Sequence, residues 1–113
     1  MDRDLTLTKY HVLICNGGSC MQQGGEQVTQ ELRQEIEAQG LQSLVHTSRT
    51  RCNGRCGDAC VVIVYPKGVW YKGVTPSVGR QIVRSLKRSE NYAPAVLAEY
   101  NGETFVSGKG APQ

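Results

Sequence analysis

The chain is short of several features that would settle its class. Its apolar runs, such as Val12–Cys15 and Cys60–Tyr65, fall far below the ~18 residues that a bilayer span needs. No charged, apolar, small-residue pattern opens it, so the sequence carries no export signal and points to a cytoplasmic protein. No period repeats, which excludes solenoids and propellers. Charge of one sign is also lacking: 13 Lys and Arg against 10 Asp and Glu leave a net charge of +3, too mild for a nucleic-acid or anionic-membrane signature, and neither partner is expected. Neither G-x-G-x-x-G nor G-x4-G-K-[ST] occurs, so the glycines form no known phosphate-binding loop. There is no C-x-x-C, and dithiol exchange of the thioredoxin kind is excluded with it.

What is present suits one compact domain. The chain has 113 residues, 39% of them apolar, and 13 glycines, against an average glycine content of ~7%. Tyr10–Cys15 reads as a buried strand. Val28, Leu32 and Ile36 recur every four residues within Glu26–Gln39, and Gly40 follows where a helix C-cap belongs, so this segment is predicted to be an amphipathic helix. Leu41–Thr47 is predicted as a second strand and Ser48–Ala59 as a polar loop. Val61–Tyr65 and Val69–Tyr71, joined by Pro66-Lys67-Gly68, make a hairpin in which Tyr65, Trp70 and Tyr71 pack across strands. Thr75-Pro76 supplies an N-cap and an N1 proline for a helix burying Val78, Ile82, Val83 and Leu86. Its cations Arg80, Arg84, Lys87 and Arg88 read as a solvated face. The order strand, helix, strand, loop, strand, strand, helix predicts an α/β layer with two main helices on a small mixed four-stranded sheet. Residues 1–90 form the domain, and 91–113 an extension for which the sequence offers a hairpin at Asn101-Gly102 or a short helix over Ala95–Tyr100. Gly108–Gln113 is expected to fray.

The five cysteines carry the chemistry. With an odd number and no export signal, a disulfide framework is the weaker reading. Cys15 and Cys20 lie at the end of the first strand, and Cys52 and Cys56 in the loop before the third. Two pairs on two loops can converge on one centre, where four thiolates suit either a tetrahedral zinc ion or a [2Fe–2S] cluster with two ligands per iron. Spacing does not choose between them. The plant-type C-x4-C-x2-C pattern is missing, and a Rieske centre would need His11 and His46, which fall in predicted strands away from both pairs. A lone nucleophilic cysteine would leave most of the thiols unused. Gly17, Gly18, Gly24 and Gly25 are either turn residues or small residues that let backbone N–H groups approach the sulfurs.

The run Cys15-Asn16-Gly17-Gly18-Ser19-Cys20, the helix after it, Arg51-Cys52-Asn53-Gly54-Arg55-Cys56, Val61–Pro66 and Gly68–Tyr71 together resemble the thioredoxin-like [2Fe–2S] ferredoxins and the small iron–sulfur subunit of NADH:quinone oxidoreductase and NAD-linked hydrogenases. The likeness covers roughly residues 9–90. It implies a thioredoxin-like fold, a [2Fe–2S] cluster held by Cys15, Cys20, Cys52 and Cys56, one-electron transfer with larger oxidoreductases, no substrate chemistry, and a homodimer. A zinc-stabilised binding module on the same thiols and a redox-sensing accessory subunit are the alternatives. The family more often has proline at the position of Cys60, so this fifth thiol is either a small buried residue or a substitute ligand for Cys52 or Cys56. Arg49, Arg51 and Arg55 bracket the ligand loop, where they are solvated or stabilise the reduced cluster and meet an acidic partner.

Overall fold

The computed structural model describes residues 2–108. The apolar run Tyr10–Cys15 forms β1, the middle of the molecule, with Val12 and Ile14 fully buried. A short helix α1, Gly18–Gln22, follows at once, and then α2, Gly25–Ala38. Gly24 separates the two helices with φ of +92°, a conformation that only glycine adopts at no steric cost. Strand β2, Val45–Thr50, runs parallel to β1, while β3, Val62–Tyr65, pairs antiparallel on its other side. Strand β4, Val69–Tyr71, is the predicted hairpin partner of β3. Helix α3, Pro76–Lys87, starts where Thr75 accepts a hydrogen bond from the Val78 amide, the cap expected of Thr-Pro.

Helices α2 and α3 pack against each other. Val28, Leu32 and Ile36 of α2 and Ile82, Val83 and Leu86 of α3 share one core with Val12 and Ile14. Gly79 makes the approach close, since a methyl group there would lie 3.3 Å from Leu32 Cγ. The cations of α3 are less solvated than their sequence suggests. Arg80 pairs with Glu31 at 2.6 Å and Arg84 with Glu35 at 3.1 Å, while Lys87 donates to the Gln39 amide oxygen, so three of the four reach back to α2 or its cap.

Two expectations need correction. The sheet has six strands, in the order β2-β1-β3-β4-β5-β6, because Val96–Tyr100 (β5) and Phe105–Ser107 (β6) extend it beyond β4. These form the hairpin at Asn101-Gly102 rather than the short helix, and the Tyr71 hydroxyl accepts from the Tyr92 amide at 3.0 Å to hold its approach. The second strand begins at Val45 rather than Leu41. The Leu44 and Val45 amides both donate to the Leu41 carbonyl, so the apolar Leu41 closes a turn after α2 while the polar His46–Thr50 forms the strand. The fraying expected at the C-terminus falls mostly on residues 109–113, outside the described residues. No helix among the described residues is long and apolar enough to cross a membrane.

Candidate iron–sulfur centre

The parallel register of β1 and β2 sets Cys15 beside Thr50 at one end of the sheet, so the first cysteine pair and the loop 51–60 meet there. Cys15, Cys20, Cys52 and Cys56 all line one small cleft, with Gly17, Ser19, Asn53, Arg55 and Val61. All four predicted ligands are thereby brought together. Cys20 stands on α1, where the sequence alone predicts a loop. Cys15 and Cys20 are buried, whereas Cys52 and Cys56 are exposed, so the inner pair is shielded and the outer pair faces solvent.

The thiols are arranged as pairs. Cys52 and Cys56 Sγ lie 3.6 Å apart with no bond between them, close to the ~3.8 Å that two thiolates take on one tetrahedral metal with bonds of ~2.3 Å. Cys15 and Cys20 adjoin each other. Among the described residues no three His, Cys, Asp or Glu side chains are arranged about a single metal ion. Two pairs of thiolates facing one cleft are the donor set that a two-iron cluster requires.

Backbone donors surround the sulfurs. The Gly54 amide reaches Cys52 Sγ at 3.3 Å, from a residue with φ of +80°. Burial raises the Cys15 thiol, yet donors from the Gly17 amide, the neighbouring Cys20 and the Asn53 side chain and amide bring it below the ordinary thiol range. Cys20 is pushed up to about 12, chiefly by burial, although the Val61 amide acts against this. Amide N–H groups aimed at sulfur stabilise negative charge there, and such bonds are a lever on reduction potential. The sequence assigns Asn53, Gly54 and Val61 no role as donors to sulfur; the Asn53-Gly54 turn signal is the one available clue.

The four glycines divide. A methyl group on Gly17 would lie 2.8 Å from Cys52 Cα and one on Gly25 2.9 Å from the Cys20 carbonyl, so both permit close backbone packing around the thiols; Gly18 has open space and Gly24 is a turn residue. The arginines divide too. Arg49 pairs with Glu26 and Arg55 with Asp58, which leaves Arg51 exposed and without an ion pair among the described residues. His11 and His46 stack at 4.9 Å across β1 and β2, and His11 Nε2 lies 2.8 Å from Ser48 Oγ, outside the cysteine cleft. Cys60 is buried beside the cleft rather than lining it.

Comparison with known proteins gives the family and the cofactor. The family model for thioredoxin-like [2Fe-2S] ferredoxins matches residues 4–87. A putative 2Fe-2S ferredoxin from Priestia megaterium is 50% identical over 105 residues, covering 92% of this chain and 82% of its own. A 2Fe-2S ferredoxin from Clostridium pasteurianum is 33% identical over 85 residues, covering 68% of this chain and 83% of its own. Among solved structures, a thioredoxin-like [2Fe-2S] ferredoxin from Aquifex aeolicus superposes with a TM-score of 0.75 at 30% identity, over 86% of this chain and 96% of that one. The zinc alternative that spacing left open is thus decided for iron and sulfide, and the chain belongs to the thioredoxin-like [2Fe–2S] ferredoxins, as an electron carrier whose cofactor is a [2Fe–2S] cluster.

Proposed function

We propose that Cys15, Cys20, Cys52 and Cys56 are the ligands of this cluster, and that the protein passes single electrons between redox partner proteins with no substrate chemistry of its own. The observation that carries the assignment is the convergence of these four thiols on one cleft as an inner and an outer pair. When bound, the cluster supplies a one-electron couple. The chain's own residues do the rest. Cys15 and Cys20 take their pair of ligand positions out of water, the Gly17, Asn53, Gly54 and Val61 amides offset thiolate charge, and the exposed Cys52–Cys56 rim is the short path to a docked partner. Arg51, a cation next to that rim with no ion pair among the described residues, favours an acidic partner surface.

The test is electron paramagnetic resonance of anaerobically purified protein before and after dithionite, with metal analysis, in the parent and in each single Cys→Ser variant. Reduction should raise a spin-one-half signal from about two irons per chain. Each of the four substitutions should abolish or reshape that signal; a ligand substitution that leaves iron content and spectrum unchanged removes that residue from the set. The homodimer and the cytoplasmic location belong to the same proposal, and light scattering that returns a monomer mass would remove the first.

A further inference from the structure

Cys60 is a thiol for which the four-ligand assignment has no task. It is 1% exposed. Its Sγ donates toward the Cys20 carbonyl at 3.2 Å and lies 3.5 Å from the Gln23 carbonyl. Both carbonyls belong to the end of α1, the five-residue helix on which Cys20 stands, with Gln23 as its C-cap. A helix of one turn has too few internal hydrogen bonds to hold its own orientation and takes it from what it packs against. Cys60 itself closes the segment that begins at Cys56, and its carbonyl is fixed in turn by the Val74 amide at 3.0 Å. One buried side chain thus joins the two ligand-bearing segments from the side away from solvent, while Gly17 and Cys52 touch elsewhere along the same cleft.

We propose that Cys60 is a positioning residue whose S–H, donated to the end of α1, fixes Cys20 relative to the Cys52–Cys56 pair and so sets the geometry in which the cluster is held. The proposal rests on the four-cysteine ligand set above. A thiol carries one proton and serves one acceptor at a time, so the Cys20 carbonyl, the nearer of the two, is the principal partner. The bond is weak by the standard of N–H donors. The Cys20 carbonyl also accepts from the Gln23 amide at 3.1 Å, so the thiol does not rescue an orphan acceptor; its weight comes from tying that carbonyl to the second ligand-bearing segment across a dry contact.

With four of the five cysteines as ligand thiolates, Cys60 holds the one remaining S–H in the loaded protein. Its S–H stretch falls in an infrared window clear of other protein bands. The expected spectrum of the loaded protein has a single such band, shifted to lower frequency than a free thiol and absent from Cys60→Ser. Cys60→Ser keeps a donor and should release iron to a chelator within about twofold of the parent, whereas Cys60→Ala should release it about tenfold faster and alter the g-anisotropy of the reduced signal. Serine and alanine variants that behave alike would overturn the proposal, as would an alanine variant with the parent's spectrum and iron-release rate. If the alanine variant does not fold, the parent's own band decides: an unshifted band overturns the proposal. A cluster-loaded protein with no band makes Cys60 a ligand and overturns it as well. A band that survives Cys60→Ser but disappears from one of the four ligand variants would overturn the ligand set together with the proposal, and so separates the two failures.

Discussion

Gly17 and Cys52 meet backbone to backbone: a methyl group on Gly17 would sit 2.8 Å from both Cα and N of Cys52. Main-chain atoms cannot step aside as the tip of a side chain can, so Gly17→Ala must push the first cysteine pair away from the second. Overpacking of this kind costs about 1–3 kcal/mol, and here the displacement falls between ligand pairs. The variant is expected to fold with reduced iron per chain and weakened visible absorbance. Full iron content with an unchanged spectrum would show that the loop takes up the strain elsewhere.

Leu32 offers the contrasting case, a residue that stabilises the fold without touching the site. It is fully buried between α2 and α3, against Gly79. Leu32→Ala should lower unfolding free energy by about 2–5 kcal/mol, the cost of lost burial plus a cavity. The reduced resonance signal should stay the same, because no cleft residue contributes to this contact. Thermal or denaturant unfolding paired with the spectrum of the native protein checks both halves.

These two residues also mark where the sequence could be read. Leu32 belongs to a four-residue periodicity that needs only a helix and a core to explain it, and β1, the β3–β4 hairpin and the Thr75-Pro76 start of α3 were legible for the same local reason. Helix α1 was not, since Gly18–Gln22 is too short to show a period and takes its place from packing against Cys60 and Gly25. The limits of β2 were misread because an edge strand need bury little, and the polar His46–Thr50 resembles loop until β1 is set beside it. The cysteine pairs were legible as pairs, but only the register of β1 with β2 brings them to one end of the sheet.

Stability should depend on pH through His46. Burial, then the neighbouring His11, Arg3 and Arg33, hold its pKa below the ordinary value of 6.5. The folded state therefore binds a proton less readily than the unfolded chain. The contribution of neutral His46 is fully present above 6.5 and is lost as pH falls from there through the folded-state pKa, below which the loss stops growing. Denaturant unfolding between about pH 8 and about pH 5 should show declining stability on the acid side, and His46→Gln should flatten that decline. Parallel curves for the two proteins would place the effect on another group.

The β5–β6 hairpin lies beyond the two main helices, yet it covers part of the sheet that carries the site. Ala95 and Val96 are buried, the Tyr92 amide donates to Tyr71, and Phe105 packs edge-on against Trp70 at 6.1 Å. Ending the chain after Ser89 would remove all three contacts and leave β4, with its Val-Trp-Tyr sequence, as an open apolar edge of the kind that templates aggregation. Loss of the Val96 burial alone removes about 1.5–3 kcal/mol. The truncated chain should melt at lower temperature, associate as its concentration rises, and show red-shifted emission from Trp70, the single tryptophan. None of the four proposed ligands touches β5 or β6 through the cleft, so iron per folded chain should match the parent. A stable truncated protein with unshifted emission would make the hairpin an ornament of the sheet. Loss of the cluster from a chain that still folds would instead tie the far edge of the sheet to the ligand loop, and Arg55, which lines both the cysteine cleft and the groove beside Trp70 and Phe105, is the residue through which that coupling would run.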